Sequence, residues 1–481
     1  MLKAKNVHLG LKSRLFNKLV KQTKKSDKVK LNEYFPIVPR KSTSNLKDLK
    51  NHTVAFNHNW KLNHTIQDDL IDINLRKYPG KFSQKTLDIP LEMEFNFLNI
   101  LKEYPRKQLI RDCTKFSNKL WNYRMPPDET IFQKMKLSIE LRLKEKYKHV
   151  KFVNESEKIK HENFLKSETI RRLNSSLNRC IPVNLDKKYN VIQYAFNRAQ
   201  YEYTSVYRVL NEIKLRCKDF KPITFLDFKS VLNTPIWAAT KVWPDQFTEF
   251  VSIEGTKNMA DVTYYTMMKP ESNEANIDYI YRRKYLPSTT RKYDIVCANF
   301  SLSRDIENKD KFTKLRKLWE TTEHFLILIE NGSKAGFEMM LEFREYMLRS
   351  VMQKEHGHIF APCPHQQKCP QLDRNKLHIC GFNSKFSNFQ KKHDDKTASY
   401  MVFRKGPIKH IPLPRLTLSA KRKKQTTCFQ CCSSNGKLQG VILTKNRHDR
   451  KLLQCSRYAK MGDTLPMENC IIEKKYNKLK N

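Results

Sequence analysis

Residues Phe225–Ala239 read FLDFKSVLNTPIWAA, and the fold turns on this stretch. Apolar Phe225 and Leu226 lead into Asp227, a short loop follows, and Trp237, Ala238 and Ala239 then sit in a helical pattern. That is the layout of a nucleotide-binding strand–loop–helix. Glycine normally fills such a loop, because the backbone must turn and approach the ligand closely. Here the loop is Lys229, Ser230, Val231, Leu232 and Asn233. The expectation is a site built on the usual plan and then closed, which favours binding over catalysis.

Short apolar runs alternate with helices on either side. Strands are expected at Ile223–Phe228, Phe250–Glu254, Tyr293–Ala298 and Phe325–Glu330. Helices are expected at Gln193–Cys217, Lys311–Glu320 and Ala335–Met352. This alternation implies an α/β domain with a parallel sheet covered on both faces. Asp227 ends the first strand, Glu254 ends the second and Asp294 opens the third, an ordered set that points to the fold of a class I methyltransferase. The second-strand acid would meet ribose hydroxyls. With Lys229, Val231 and Asn233 in the loop, side chains take the space of S-adenosylmethionine, and Val231 is expected to be strained at positive φ. Asp227 and Glu254 are therefore expected as vestigial cofactor-binding residues, with no catalytic residue assigned. After the fourth expected strand stands Glu330-Asn-Gly-Ser, with neither an Asn-Pro-Pro-Tyr tetrad nor paired cysteines.

The chain has 481 residues, enough for two or three domains. Its 92 Lys and Arg against 49 Asp and Glu give a net charge of +43, an excess that calls for a polyanionic partner, nucleic acid foremost. The apolar run Phe325–Ile329 is far too short to span a membrane. Residues 1–26 carry eight Lys or Arg and no acid, and Leu11, Leu15, Phe16, Leu19 and Val20 share one helical face. Such a basic amphipathic start reads as a mitochondrial transit peptide, the other reading being a helix that binds RNA directly. Residues 27–190 follow as a basic, largely helical region, 191–355 as the Rossmann-like core, and 356–481 as a Cys-rich basic region. From Lys396 to His448 there are twelve Lys or Arg and no acid. Lys421, Arg422, Lys423 and Lys424 within that tract are the expected RNA contacts.

Eight of the twelve cysteines lie from Cys363 onward. In a chain without a secretory signal, clustered thiols point to metal rather than disulfides. Cys363-Pro-His-Gln-Gln-Lys-Cys369-Pro and then Cys380 bring three thiolates to one loop, which Pro364 and Pro370 keep from becoming helix. A fourth ligand comes from Cys431, Cys432, Cys428, Cys455 or His365, and four thiolates suit either zinc or an iron–sulfur cluster.

The phrases NEIKLRCKDFKPITFLDF, YDIVCANFSLS, LWETTEHFLILIENGSKAGFEMMLEFREYML, APCPHQQKCPQL and ASYMVFRKG together resemble the mitochondrial methyltransferase-like small-subunit ribosome-assembly family, of the Rsm twenty-two and methyltransferase-like protein seventeen type, from about Gln193 to the YAKMGD that ends at Asp463. The resemblance implies a protein of the mitochondrial matrix that binds small-subunit rRNA and ribosomal proteins and supports mitochondrial translation. It also implies a [4Fe–4S] cluster rather than zinc, on Cys363, Cys369, Cys380 and Cys431, with Cys432 the competitor. The chain departs from the family at the loop: Asp227 is kept and all three glycines are replaced. S-adenosylmethionine binding and methyl transfer are therefore not expected. The alternatives are an active S-adenosylmethionine-dependent rRNA methyltransferase and a zinc-stabilised RNA-binding module outside mitochondria.

Overall fold

The structure, a computed structural model, describes residues 56–469 apart from 58, 124–126, 128, 181–182, 270–273, 289, 306–309, 354–355, 373–377, 391 and 410. The expected transit peptide, 1–26, lies outside the described residues. The chain divides into two units. Pro127–Ser176 belongs to the smaller unit, while Thr53–Pro126 and Leu177 onward form the larger.

The smaller unit holds the helices Glu129–Lys146 and Glu155–Leu177. Its apolar content is thin: Leu143 and Leu173 are buried, and Tyr147 meets Phe164 edge-on at 5.5 Å. Glu168 bridges Arg171 at 2.6 Å and Arg172 at 2.8 Å.

The larger unit is built on one sheet. Its strands, labelled from the first core strand, are β1 (Thr224–Phe228), β2 (Glu249–Ile253), β3 (Ile280–Arg283), β4 (Tyr293–Asn299), β5 (Thr322–Asn331), β6 (Gly357–Ala361), β7 (Gly381–Ser387) and β8 (His393–Lys405). They lie in the order β3-β2-β1-β4-β5-β8-β6, with β7 pairing the first half of β8. The first five are parallel, and β8 runs antiparallel between β5 and β6. The sheet is thus mixed and not all parallel, and this strand order with one reversed strand is that of a class I methyltransferase.

Successive side chains leave opposite faces of a strand, and the two faces build separate cores. Phe225, Ile295, Cys297, Phe325 and Ile327 face one. It is covered by α1 (Lys188–Arg216), α2 (Thr234–Val242), α3 (Lys257–Met267) and the upstream helices Leu91–Leu101 and Arg106–Asn122. Leu226, Val296, Ala298, Leu326 and Leu328 face the other, against α4 (Lys311–Glu320) and α5 (Lys334–Tyr346). Phe325–Ile329 is apolar at every position because both faces are buried. Gly332 follows because a β-carbon there would stand 2.2 Å from the Thr397 carbonyl oxygen of β8.

Beyond β8, the strands β9 (Arg415–Arg422), β10 (Thr426–Cys432) and β11 (Leu438–Thr444) form a second sheet, which the short strand Phe56–Asn57 extends, and α6 (Arg450–Tyr458) packs beside it. Trp60, Leu416, Phe429, Cys431, Leu452 and Cys455 share its core. Among the described residues no helix is long and apolar enough to cross a membrane.

The sequence reading misses β3. Its residues are IYRR, partly exposed at the sheet edge, so it lacks the apolar run that marks the central strands. Counting it makes Phe325–Glu330 part of the fifth strand. The loop after the fourth is therefore Asn299-Phe300-Ser301-Leu302 rather than Glu330-Asn-Gly-Ser.

Candidate functional site

The loop after β1 is packed with the chain's own side chains. Val231 and Leu232 are buried in the core under α2, and Ser230 and Asn233 are buried as well. The Asn233 side-chain oxygen accepts from Ser252 Oγ at 2.9 Å, and the Leu232 N–H donates to Thr263 Oγ1 at 3.2 Å. The loop is thereby tied to β2 and α3. Lys229, Leu232 and Asn233 have φ of 54°, 58° and 46°. The expected strain at Val231 is thus misplaced. The left-handed positions are its neighbours, because the turn needs two consecutive left-handed residues at its end.

Asp227 is fully buried behind this loop and accepts from Ser230 Oγ, while its Oδ1 has no partner. Burial raises its pKa from 3.8 to about 7. Glu254, the expected ribose acid, is half-buried and paired with Arg282 at 3.3 Å. Asp294 sits at the opposite end of the sheet, where it accepts from the N–H groups of Ile223 at 2.7 Å and Thr224 at 2.9 Å. It is a structural clamp.

Between the ends of β4 and β5 lies a buried polar cluster that sequence reasoning missed. Arg198 lies 3.5 Å from Glu202 and donates to Asn331 Oδ1 at 2.6 Å. Arg304 donates to the Lys229 carbonyl at 2.9 Å, and Glu330 accepts from the Ser303 N–H at 3.0 Å. Burial pushes the Glu202 and Glu330 carboxyls up. The cavity beside them, lined by Tyr194, Arg198, Phe300 and Arg304, measures about 20 Å³. That is room for one water (~10–15 Å³), against the roughly 300 Å³ or more of a small-molecule site. Arg198 and Glu202 lie one turn apart on α1, an i,i+4 pair readable in the sequence.

The cysteine loop lies beside α5 and the end of β10. The carbonyls of His365 and Gln367 both accept from the Arg344 guanidinium, which also bonds the Cys363 side chain. Cys369 is buried in a small apolar cluster that Cys380 flanks. Burial, then the neighbouring Cys363, pushes the Cys369 thiol up to about 12, and Cys380 is raised by burial and then by Cys369 and Cys363. Adjacent β-strand residues point to opposite faces, which separates Cys431 from Cys432. Cys431 faces the core of the second sheet, among Trp60, Leu416 and Phe429. Cys432 faces the loop: its sulfur is 3.2 Å from His365 Nε2, and its thiol is raised by burial and then by Cys363, Cys380 and Cys369. Cys455 is buried in the second-sheet core, and Cys428 stands four residues back along β10, roughly 13 Å away. Among the described residues no three His, Cys, Asp or Glu side chains are gathered closely enough to hold a metal ion.

Lys421 and Arg422 end β9 and Lys423 and Lys424 begin the turn to β10, all four exposed. Arg457 of α6 steadies it by donating to the Lys424 carbonyl at 2.6 Å.

Human ribosome assembly protein METTL17, mitochondrial, is 32% identical over 278 residues, covering 55% of this chain and 60% of that protein. The Rsm22-cox11 tandem protein 2, mitochondrial, of Schizosaccharomyces pombe is 22% identical over 327 residues, covering 58% and 43%. The chain therefore spans less than two thirds of either relative. Among solved structures, the plantazolicin methyltransferase BpumL with SAH matches at 14% identity and TM-score 0.30, over 45% of this chain and 89% of that one. The N-methyltransferase NodS of Bradyrhizobium japonicum matches at 8% and 0.28, over 45% and 91%. Its relatives are named mitochondrial, and so is the place of this protein. The model of the mitochondrial small ribosomal subunit protein Rsm22 matches residues 188–466, more than half of the chain, which belongs to that family.

Proposed function

We propose that this protein is a mitochondrial small-subunit assembly factor or subunit that binds rRNA and does not transfer methyl groups. The filled loop after β1 carries the reading. Val231 and Leu232 lie where a cofactor would, three non-glycine residues hold the turn, and Glu254 is engaged by Arg282. Admitting S-adenosylmethionine would require withdrawing buried apolar side chains, at about 1.5–3 kcal/mol each. What remains is a rigid α/β body of a ribosome-assembly family with a strongly basic surface. The relatives' names support the assembly role. Isothermal titration of the purified chain with S-adenosylmethionine, beside co-sedimentation with small subunits from gradient-fractionated mitochondria, tests it. Sedimentation with the small subunit and no heat of binding are expected. Saturable cofactor binding abolished by Glu254→Ala would overturn the loss of catalysis.

We infer a [4Fe–4S] cluster on Cys363, Cys369, Cys380 and Cys432, with Cys432 in place of Cys431, a set whose thiols would have to draw together to hold it. The donor set is the observation that supports it: Cys363 stands near enough to raise the Cys369, Cys380 and Cys432 thiols, with a buried guanidinium beside the loop. Bound there, a cluster would supply iron–thiolate bonds and folding free energy. Arg344 would balance thiolate charge and hold the loop carbonyls, and neutral His365, whose pKa burial lowers to about 4, would hold Cys432 in place. Zinc is the alternative, and iron, sulfide and zinc analysis of anaerobically purified protein separates the two.

A further inference from the structure

A second cationic group, outside the acid-free tract, converges on Lys421–Lys424. Three chain segments meet at Tyr458, near the end of α6. Arg76 lies 5.4 Å from the centre of its ring, Lys81 5.8 Å and Arg422 5.8 Å. Arg76 also bonds the phenol oxygen, and that bond is the main reason the Tyr458 pKa is lowered. Lys385 and Lys81 both stand near enough to Lys460 to act on its charge. Burial, then Lys385 and Lys81, lowers the pKa of Lys460. The nearby acid, Asp463, turns inward and accepts from the N–H groups of Phe82 at 2.9 Å, Ser83 at 2.7 Å and Lys460 at 2.9 Å. Its oxygens are taken up by backbone N–H groups, and its pull on Lys460 is outweighed by burial and the neighbouring lysines.

We propose that this face is a docking surface for the phosphodiester backbone of RNA, on which Tyr458 fixes the spacing of the cations. The inference rests on the reading of the chain as an rRNA binder and gives that reading a place. Guanidinium and ammonium groups of fixed spacing match phosphates. The tyrosine ring is taken up by cations, so the surface reads backbone and not bases. The cations come from several chain segments and not from the polar face of one amphipathic helix, which suits a polyanion better than a bilayer.

The test uses the full-length protein and a short fluorescein-labelled RNA hairpin, with anisotropy followed at several KCl concentrations. Each lost phosphate contact lowers the salt slope by about one. Arg76→Gln/Lys81→Gln/Lys460→Gln is therefore expected to weaken binding roughly tenfold or more and to make the slope shallower by about 3. Lys102→Gln/Lys107→Gln/Lys257→Gln, on exposed positions elsewhere, is expected to leave both unchanged. If the triple variant melts early, Arg76→Glu, a change at an exposed side chain, takes its place. Unchanged affinity and slope in the patch variant, with tight wild-type binding, would overturn the surface and leave the assembly reading standing. A wild type that binds no RNA would overturn both. Loss of binding to anionic phospholipid vesicles with RNA binding intact would assign the face to a membrane and overturn the proposal.

Discussion

Lys229 and Leu232 share a backbone state and differ in what their side chains do. Both sit near φ 55°, where a side chain costs about 1–2 kcal/mol relative to the right-handed region. Lys229 is half-exposed, so Lys229→Gly relieves strain at little packing loss and is expected to raise stability by up to about 1 kcal/mol in urea melts. Leu232 is fully buried, and its removal costs about 2–5 kcal/mol, more than the strain it relieves. Leu232→Gly is expected to destabilise by about 2 kcal/mol net. A Leu232→Gly variant as stable as the parent would mean that the side chain is not packed as a plug. Asp227 adds a pH dependence. Its pKa is 3.8 unfolded and about 7 folded, because burial disfavours the charge. Below pH 4 both states carry the proton and the residue is neutral to stability. Between pH 4 and 7 the unfolded chain ionises while the folded one keeps its proton, so stability falls, by up to about 4 kcal/mol in all. Asp227→Asn is expected to flatten melting temperature against pH in that window, and an unchanged profile would place the titration elsewhere.

At the scale of the element, strand alternation decides which of two adjacent cysteines could serve the loop. Cys431→Ser puts a hydroxyl into the apolar core beside Trp60 and Phe429 and is expected to cost about 1–3 kcal/mol of stability while leaving bound iron and sulfide unchanged. Cys432→Ser is expected to lose both, with smaller damage to the apo fold. Iron and sulfide per chain, measured beside the melting temperature, distinguish the two, and the reverse pattern would restore Cys431 as ligand. The sequence could not choose between them, because β10 carries Thr, Gln and three cysteines and gives no clear alternation of apolar and polar residues. The buried central strands were readable for the opposite reason: FLILI is apolar throughout, since both faces are covered. Edge strand β3 was invisible because half its side chains meet solvent. The left-handed residues were legible as a pattern of missing glycines, yet their positions were set by the turn, which periodicity does not report.

Across the whole larger unit, the catalytic-looking sheet and the cysteine-bearing sheet are joined by one buried charge. Glu212 of α1 receives Arg415 of β9, with contacts of 2.5 and 3.2 Å, Arg208 at 2.7 Å and Arg216 at 3.1 Å, and the Tyr400 hydroxyl donates to it at 3.2 Å. The Gly462 carbonyl accepts from both Arg208 and Arg415, at 2.8 and 2.7 Å. This junction draws on α1, β8, β9 and the loop after α6, segments up to 254 residues apart in sequence. Burial alone would raise the Glu212 carboxyl, but the guanidiniums of Arg415, Arg208 and Arg216 outweigh it and hold the group well below the usual carboxylate range. A carboxyl held low contributes stability above its unfolded pKa of 4.5 and loses it only as pH falls through the folded value. The junction therefore survives mild acid. Glu212→Gln removes the charge and leaves three buried guanidiniums facing one another, which is expected to cost about 3–5 kcal/mol. Because the residue ties the two sheets, the loss should not be confined to one of them. Native-state hydrogen exchange in the variant is expected to rise together in β8 and in β9–β11. Exchange that rises in the second sheet alone would mean that the two sheets unfold independently and that the junction is merely local.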